Sequence, residues 1–420
     1  MPFRHFPVRP SLEQFRHQAK DLLRAIRRGD KAARDVVTQH HPGPVDIDAI
    51  RLTDAQFALA RTYGFTGWPR LVLACRMTDA IWRDDVEMVR ALIVKHPHLL
   101  HEDARGVPGN WGPPMSYAAN LGRDRIIEML HGHGATDVQF AFDRACLQGH
   151  LDVAQRLHAF GARPVPGSVM GPCETQNAAG LSFVLDLGGQ LADEHGDPLA
   201  PIGMVLETYG RNPPGKHACL ELFAARGIEL PDTPPMAVHR GRRDLLERHL
   251  ARDPQLLGRT FEHEEIYPPQ LGCHADHSLA LHGTPIDGGT LLHLCVDFDE
   301  IELARWLIAR GADVNAAATV ASDGFGGHTA LFGTVVTQPI RLRRTDEFAR
   351  LLLDAGANPN ARANLRKRLR GADDETMHEY RDVTPRAWGE RFHDRSFISH
   401  PALQLIVARG GHIRMADCRL

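Results

Sequence analysis

IELARWLIARGADVNA, residues 301–316, and DEFARLLLDAGANPNA, residues 346–361, superimpose at a shift of 45 residues without a gap. Each opens as an amphipathic helix, with Leu303, Ala304, Leu307 and Ile308 answered by Phe348, Ala349, Leu352 and Leu353 on one helical face. Each then stops at a glycine able to take the left-handed cap conformation, Gly311 in one and Gly356 in the other. The same phase recurs in RDRIIEMLHGHGA (123–135) and GHLDVAQRLHAFGA (149–162), and more weakly in HACLELFAARG (217–227). ALIVKHPHLL (91–100) and RHLARDPQLL (248–257) match each other but end in proline. One unit has been copied along the chain.

Upstream of the later helices stand TLLHLC (290–295), TALFGT (329–334) and TPRAWG (384–389), each a threonine followed by a short apolar helix. This order resembles the ankyrin repeat, whose units open on a Thr-Pro-Leu-His type run and close on Gly-Ala-Asp-x-Asn. Tetratricopeptide or HEAT arrays would give helices at similar intervals, but here both halves of the ankyrin pattern occur together and in order. The resemblance implies an all-α ankyrin-repeat solenoid over residues 76–420, with about eight units by pattern counting.

Residues 1–75 read differently. SLEQFRHQAKDLLRAIRRGD puts Leu12, Phe15, Ala19, Leu22 and Ile26 on one face, and LTDAQFALARTYGFTGWPRL starts with Thr53 and Gln56 at capping-box spacing. Two helices and a linker are expected, forming a cap over the exposed apolar side of the first repeat. This segment also resembles the leader that precedes ankyrin arrays in bacterial proteins, which implies a bacterial origin.

Composition narrows the class of function. With 49 basic and 52 acidic residues, the chain has no global field to attract nucleic acid or an anionic membrane. No apolar run is long enough to span a bilayer, and MPFRHFPVRP lacks the uninterrupted apolar core of a secretory signal. Seven scattered cysteines without a CxxC pair suit reduced thiols. A cytoplasmic protein is expected.

The threonines at 290, 329 and 384 lie 39 and 55 residues apart, against about 33 for an ankyrin unit. Because the unit starts and the GADVNA and GANPNA ends are intact, the excess falls between them, at 317–328 and 362–383. Residues 259–288, 104–114 and 163–174 occupy the same phase. Insertions in one phase of a stacked array gather along one edge, so these fingers should wall a groove.

FEHEEIYPPQLGCHADHS (261–278) holds the densest chemistry of those fingers. His263, Glu264, Tyr267, His274, Asp276, His277 and His282 are its candidate ligand contacts, joined by Asp323, Phe325 and His328 from SDGFGGH. Were a divalent metal bound, His263, Cys273, His274 and His277 would supply imidazole and thiolate, although adjacent side chains of an extended loop point apart. Removal of residues 263–284 is expected to leave the stack intact, because neighbouring units manage without them. GFGGH (324–328) reads as a flexible tip, lacking the GxxxxGK phosphate-loop pattern. RANLRKRLRGADDE (362–375) reads as a solvated finger whose charges nearly cancel, so nucleic acid is not the expected partner.

No GxSxG or HExxH motif occurs. The expected function is a non-enzymatic recognition scaffold, without a cofactor, that grips a protein or peptide in the groove. The alternative is an enzyme, or a metal or small-molecule binder, that uses the His, Asp and Glu residues of fingers 261–282 and 317–328.

Overall fold

A computed structural model describes residues 4–43, 45–47, 49–276, 282–338, 344–370 and 374–412. It divides into two compact units, Met1–Pro164 and Val165–Leu420.

In the first unit, the helix Leu12–Arg27 starts at Ser11, whose hydroxyl accepts from the Gln14 amide, and buries Phe15, Ala19, Leu23 and Ile26. The expected linker contains a further helix, Lys31–His40, capped by Asp30. The helix Leu52–Thr62 begins at Arg51, whose amide donates to Asp54 Oδ2 (2.8 Å). The cap anticipated at Thr53 is therefore displaced, because the Asp54 carboxylate is the better acceptor for a free helix-end amide. Three helix pairs follow: Trp68–Trp82 with Val86–Lys95, Pro114–Asn120 with Asp124–Gly132, and Val138–Gln148 with Leu151–Ala159. The first helices of these pairs pack in a row, Trp68–Trp82 on Pro114–Asn120 on Val138–Gln148.

The second unit continues the scheme with Met170–Glu174 and Ala178–Asp186, Ala200–Glu207 and Pro213–Ala225, and Pro234–His239 and Arg243–Arg252. It ends with Leu291–Asp297 and Ile301–Ala309, Ala330–Val335 and Thr345–Asp354, and Pro385–Arg391 and His400–Ala408. Residues 170–174, expected within a finger, thus form a helix that buries Pro172 and Cys173.

Stacking in this unit forms two layers. Pro234–His239, Leu291–Asp297, Ala330–Val335 and Pro385–Arg391 pack successively, and so do Ile301–Ala309, Thr345–Asp354 and His400–Ala408. The repeat residues have visible tasks. Gly311 and Gly356 take φ of 95° and 93°, as helix stops require. Asn315 Nδ2 donates to the Gly356 carbonyl (3.0 Å) and its Oδ1 accepts from the Asn358 amide (2.7 Å). Asn360 repeats both bonds one turn later, with the Gly410 carbonyl and the His412 amide, each at 3.0 Å. The asparagine of each turn thus ties it to the next.

Short antiparallel strands supplement the helices. β1 (Thr260–Phe261) pairs with β2 (Gly289–Thr290), closing the base of the excursion between them. β3 (Ala363–Lys367) pairs with β4 (His378–Val383). The basic finger is therefore a hairpin rather than a solvated loop. Ala363, Leu365, Lys367 and Leu369 are buried, while Arg368 and Arg370 are exposed. Residues 371–373 of this finger lie outside the described residues.

Candidate functional site

Segments of 262–288, 319–328 and 364–377 converge on one cavity of about 480 Å³ in the second unit. Its apolar lining includes Ile286, Phe325, Leu365 and Met377. Glu262, Glu264 and Asp287 supply acidic walls, and Arg366, Lys367 and Arg368 supply basic ones.

The fingers hold one another rather than waving free. Gly326 and Asn364 exchange backbone hydrogen bonds, 2.7 and 3.2 Å long, and Asn364 Nδ2 donates to the Gly324 carbonyl at 2.8 Å. Arg366 pairs with Asp323 at 2.6 Å. The Phe325 ring lies between the guanidiniums of Arg366 and Arg381, 5.0 and 4.5 Å from its centroid, a cation–π arrangement. Gly326 has φ of 116°, and a Cβ there would sit 2.1 Å from the Thr319 carbonyl oxygen, so only glycine fits. GFGGH is thus a packed turn, not a loose tip.

Five of the ten candidate ligand contacts line this cavity: His263, Glu264, His282, Phe325 and His328. Asp323 stands behind them, paired with Arg366. Tyr267 lies among His263, His282, His239 and Phe298, 1% exposed, with its ring 5.5 Å from that of His282. His274 is exposed and bonded to Glu207 through both its amide (2.8 Å) and Nδ1 (2.7 Å). Asp276 is exposed, and His277 lies outside the described residues.

The described members of the possible metal set, His263, Cys273 and His274, do not share a site. His263 Nε2 donates to the His274 carbonyl (2.8 Å), the buried Cys273 thiol is pushed up by burial, and His274 turns to Glu207. Among the described residues, no group of three or more His, Cys, Asp or Glu side chains is placed to share an ion.

Most of these histidines perform one backbone task. His239 Nε2 donates to the Ile266 carbonyl (2.9 Å), His293 Nε2 to that of His328 (3.0 Å), and His328 Nε2 to that of Pro285 (2.8 Å). His293 Nδ1 also accepts from the Thr290 amide (3.1 Å), fixing the tautomer. Burial holds these imidazoles neutral, with His293 lowered to about 4 and His328 to about 3, because the charged form is penalised away from water. Each imidazole satisfies a finger carbonyl that would otherwise be buried without a donor.

The excursion between β1 and β2 is consequently part of the core. Ile266, Tyr267, Leu271 and Cys273 are buried, and Thr284 Oγ1 accepts from Trp388 Nε1 (3.0 Å) while donating to the Val336 carbonyl (2.9 Å). The expectation that 263–284 is dispensable fails, because its described residues Ile266, Tyr267, Leu271, Cys273, His282 and Thr284 are buried.

Residues that sequence reading did not select lie below. Arg211 Nη2 reaches Asp297 Oδ2 (2.9 Å), its Nε donates to the Asp297 carbonyl (2.9 Å), and His282 Nδ1 donates to the same Oδ2 (2.8 Å). His282 is itself lowered, chiefly by burial. Lys216 is buried, with Nζ 4.1 Å from the Phe298 centroid, and burial brings its amine down to about 8. Lys367 is 6% exposed and is likewise brought down to about 8, with Asp297 opposing the fall. A period-two alternation in ANLRKRLR was the available signal for Lys367, since it puts this residue in line with Ala363, Leu365 and Leu369.

The helix pairs and their linked turns define a helical repeat protein. Residues 287–318 match the family model described as the ankyrin repeat, and this repeat contributes Asp287 and Gly288 to the cavity. The architecture is the all-α ankyrin-repeat fold, elaborated by short hairpins. Comparison with curated proteins gives no match. Among solved structures, the human ASB11 ankyrin repeat domain is 17% identical over 72% of this chain and 99% of that one, with a TM-score of 0.25. The ankyrin repeat domain of Bcl-3, titled a unique member of the IkappaB protein family, is 13% identical over 79% and 97%, with a TM-score of 0.21. Scores this low carry nothing about partner or site. The fold assignment rests on the matched repeat and on the helix pairs themselves. Among the described residues, no helix is long and apolar enough to cross a membrane.

Proposed function

We propose that this protein is a non-enzymatic recognition scaffold that binds a peptide segment of a partner protein in the cavity between its fingers. Ankyrin repeats are generally protein-interaction modules, and lengthened fingers add contact area without disturbing the stack. The observation that carries the reading is the convergence of three separate insertions on one cavity of about 480 Å³. Met377, in its lining, is 48% exposed, and Val320, beside the lining residue Ala321, is 59% exposed. Exposed apolar side chains beside a cavity lined by both apolar and charged groups suit a macromolecular partner whose chain continues past the rim. Among the described residues, six buried cysteines without a disulfide are compatible with a reducing, cytoplasmic setting.

The test uses a random pentapeptide pool, scored by affinity selection and mass spectrometry against the wild type and an Ala321→Trp variant. Ala321 is exposed on the lining, so tryptophan obstructs the cavity without entering the core. Wild type should retain a reproducible subset of peptides that the variant loses, with unchanged helical circular dichroism. Retention of nothing by wild type, or of the same subset by both, would remove the proposal.

A second reading, a small-molecule site, is favoured by the carboxylate-backed His282 in the lining and by a volume within the roughly 300–1,000 Å³ of such sites. The same wild-type selection separates the two, because a small-molecule site retains no peptide.

A further inference from the structure

Two of the imidazoles that line the cavity have their N–H groups already committed. His282 Nδ1 lies 2.8 Å from Asp297 Oδ2, and because a carboxylate oxygen only accepts, Nδ1 carries the proton. Arg211 Nη2 lies 3.3 Å from the same Nδ1 but has its shorter bond to Oδ2, at 2.9 Å. The proton of His328 is on Nε2 and goes to the Pro285 carbonyl at 2.8 Å. Neither ring has an N–H left for a ligand, so each can only accept. The accepting nitrogen of His328, Nδ1, is closed off by burial. That of His282 is Nε2, and none of the described residues bonds to it. With Nδ1 turned inward to Asp297, the ring edge that His282 leaves to the cavity carries this lone pair.

The lone pair calls for a donor, since a carbonyl or carboxylate there would set one acceptor against another. The donor is a neutral one. Asp297 already serves Arg211 and His282, so an ammonium or guanidinium brought to Nε2 would lose its water beside a neutral ring, at a greater cost than a hydroxyl. It also sits on an apolar body, because Ile286, Phe325 and Leu365 line the same cavity and are each buried. Serine and threonine lack that body, and the N–H of an indole lies on the flank of its ring system. A phenol has its donor at the far end of an apolar ring, and about 480 Å³ accommodates the ring with parts of the residues beside it.

We propose that the cavity reads a tyrosine of the bound peptide, with its ring against Ile286, Phe325 and Leu365 and its hydroxyl donating to His282 Nε2. This rests on the peptide-binding reading above and names the side chain that is read. Asp297 is the positioning residue, because its bond to Nδ1 fixes the tautomer that makes Nε2 the acceptor. Burial lowers His282 from its ordinary value, with Arg211 and Lys367 acting in the same direction and Asp297 against them, so the ring is neutral and the lone pair present at neutral pH.

The probes are four pools of end-blocked pentapeptides. All have lysine first, opposite in charge to the exposed Glu262 and Glu264 of the wall. The third residue is tyrosine, O-methyltyrosine, phenylalanine or lysine, and the other positions are randomised among non-aromatic residues. At neutral pH, wild type should retain the tyrosine pool at least about fivefold better than each of the others, the contribution of one neutral hydrogen bond. His282→Phe, checked for unchanged circular dichroism, should bring the tyrosine-to-phenylalanine ratio close to one. Should that variant not fold, the four pools on wild type decide alone, because phenylalanine removes the donor without adding bulk and O-methyltyrosine removes it while keeping the oxygen. Equal retention of tyrosine and phenylalanine by wild type, a lysine pool retained best, or a ratio unchanged in folded His282→Phe overturns the proposal; peptide recognition then survives without tyrosine reading. If wild type retains no pool, both proposals fall together.

Discussion

The finger at 104–114 and the fingers at 259–288, 317–328 and 362–383 arise in the same phase of the repeat and fold to different ends. In the first unit, Arg105 is buried and its guanidinium donates to the Phe6 carbonyl. Trp111 leans on Tyr117 with centroids 4.9 Å apart, and the Tyr117 hydroxyl bonds the Val8 carbonyl at 2.8 Å. That finger packs back onto the N-terminal segment of its own unit. In the second unit the fingers meet one another, through Phe325 and its two guanidiniums and through the Gly326–Asn364 bonds, and a cavity remains between them. An insertion with a neighbouring apolar surface becomes packing, whereas several that can brace each other are able to enclose a site.

Acid should separate the two units most strongly. His293 and His328 have folded-state values of about 4 and about 3, below the 6.5 of a free histidine. Below pH 6.5 the unfolded chain therefore takes up protons that the native unit refuses. Stability falls as the pH drops toward 4 for His293 and toward 3 for His328, at about 1.4 kcal/mol per pH unit for each. Among the described residues of the first unit, no histidine is buried. Urea titrations followed by hydrogen exchange at pH 7 and pH 4.5 should show protection lost first over residues 230–400. Parallel loss in both units would break the comparison.

A smaller effect probes whether the wall at 261–276 is core. Tyr267→Ala removes a ring that is 1% exposed and should cost about 3–5 kcal/mol. Trp111→Ala, at a half-buried ring of the other finger, should cost about 1–2 kcal/mol. Urea midpoints check both. A Tyr267→Ala cost below about 1 kcal/mol would return the stretch to decoration.

Much of the stack was legible because its causes are local. A helical period of apolar residues, a glycine stop and a capping threonine act within a dozen residues, and Gly311, Gly356 and Thr384 do what their positions suggest. The fingers were harder to read because their chemistry is set by neighbours distant in sequence. His263 and His328 resemble ligands or bases in a string of letters, yet their Nε2 atoms are spent on finger carbonyls 11 and 43 residues away. Lys367 sits in a basic run whose charge masks the period-two alternation that buries it. Arg211 gave no local sign at all, since its partner Asp297 lies 86 residues downstream.

The smallest expected effect on stability is at Glu264, and that is its use. Its side chain is exposed on the cavity wall, so Glu264→Gln should move the urea midpoint by no more than about 0.5 kcal/mol. The same change should weaken a retained lysine-bearing pentapeptide by roughly two- to fivefold, the range of an exposed ion pair worth about 0.5–1 kcal/mol. Replacing the peptide lysine with norleucine supplies the other side of a double-mutant cycle: the two changes together should cost little more than either alone if the charges meet. In 1 M salt, where the screening length is about 3 Å, the loss should shrink toward nothing. Additive costs, or a loss indifferent to salt, would mean that Glu264 acts through finger shape, and the acidic wall would then say nothing about the ligand's charge.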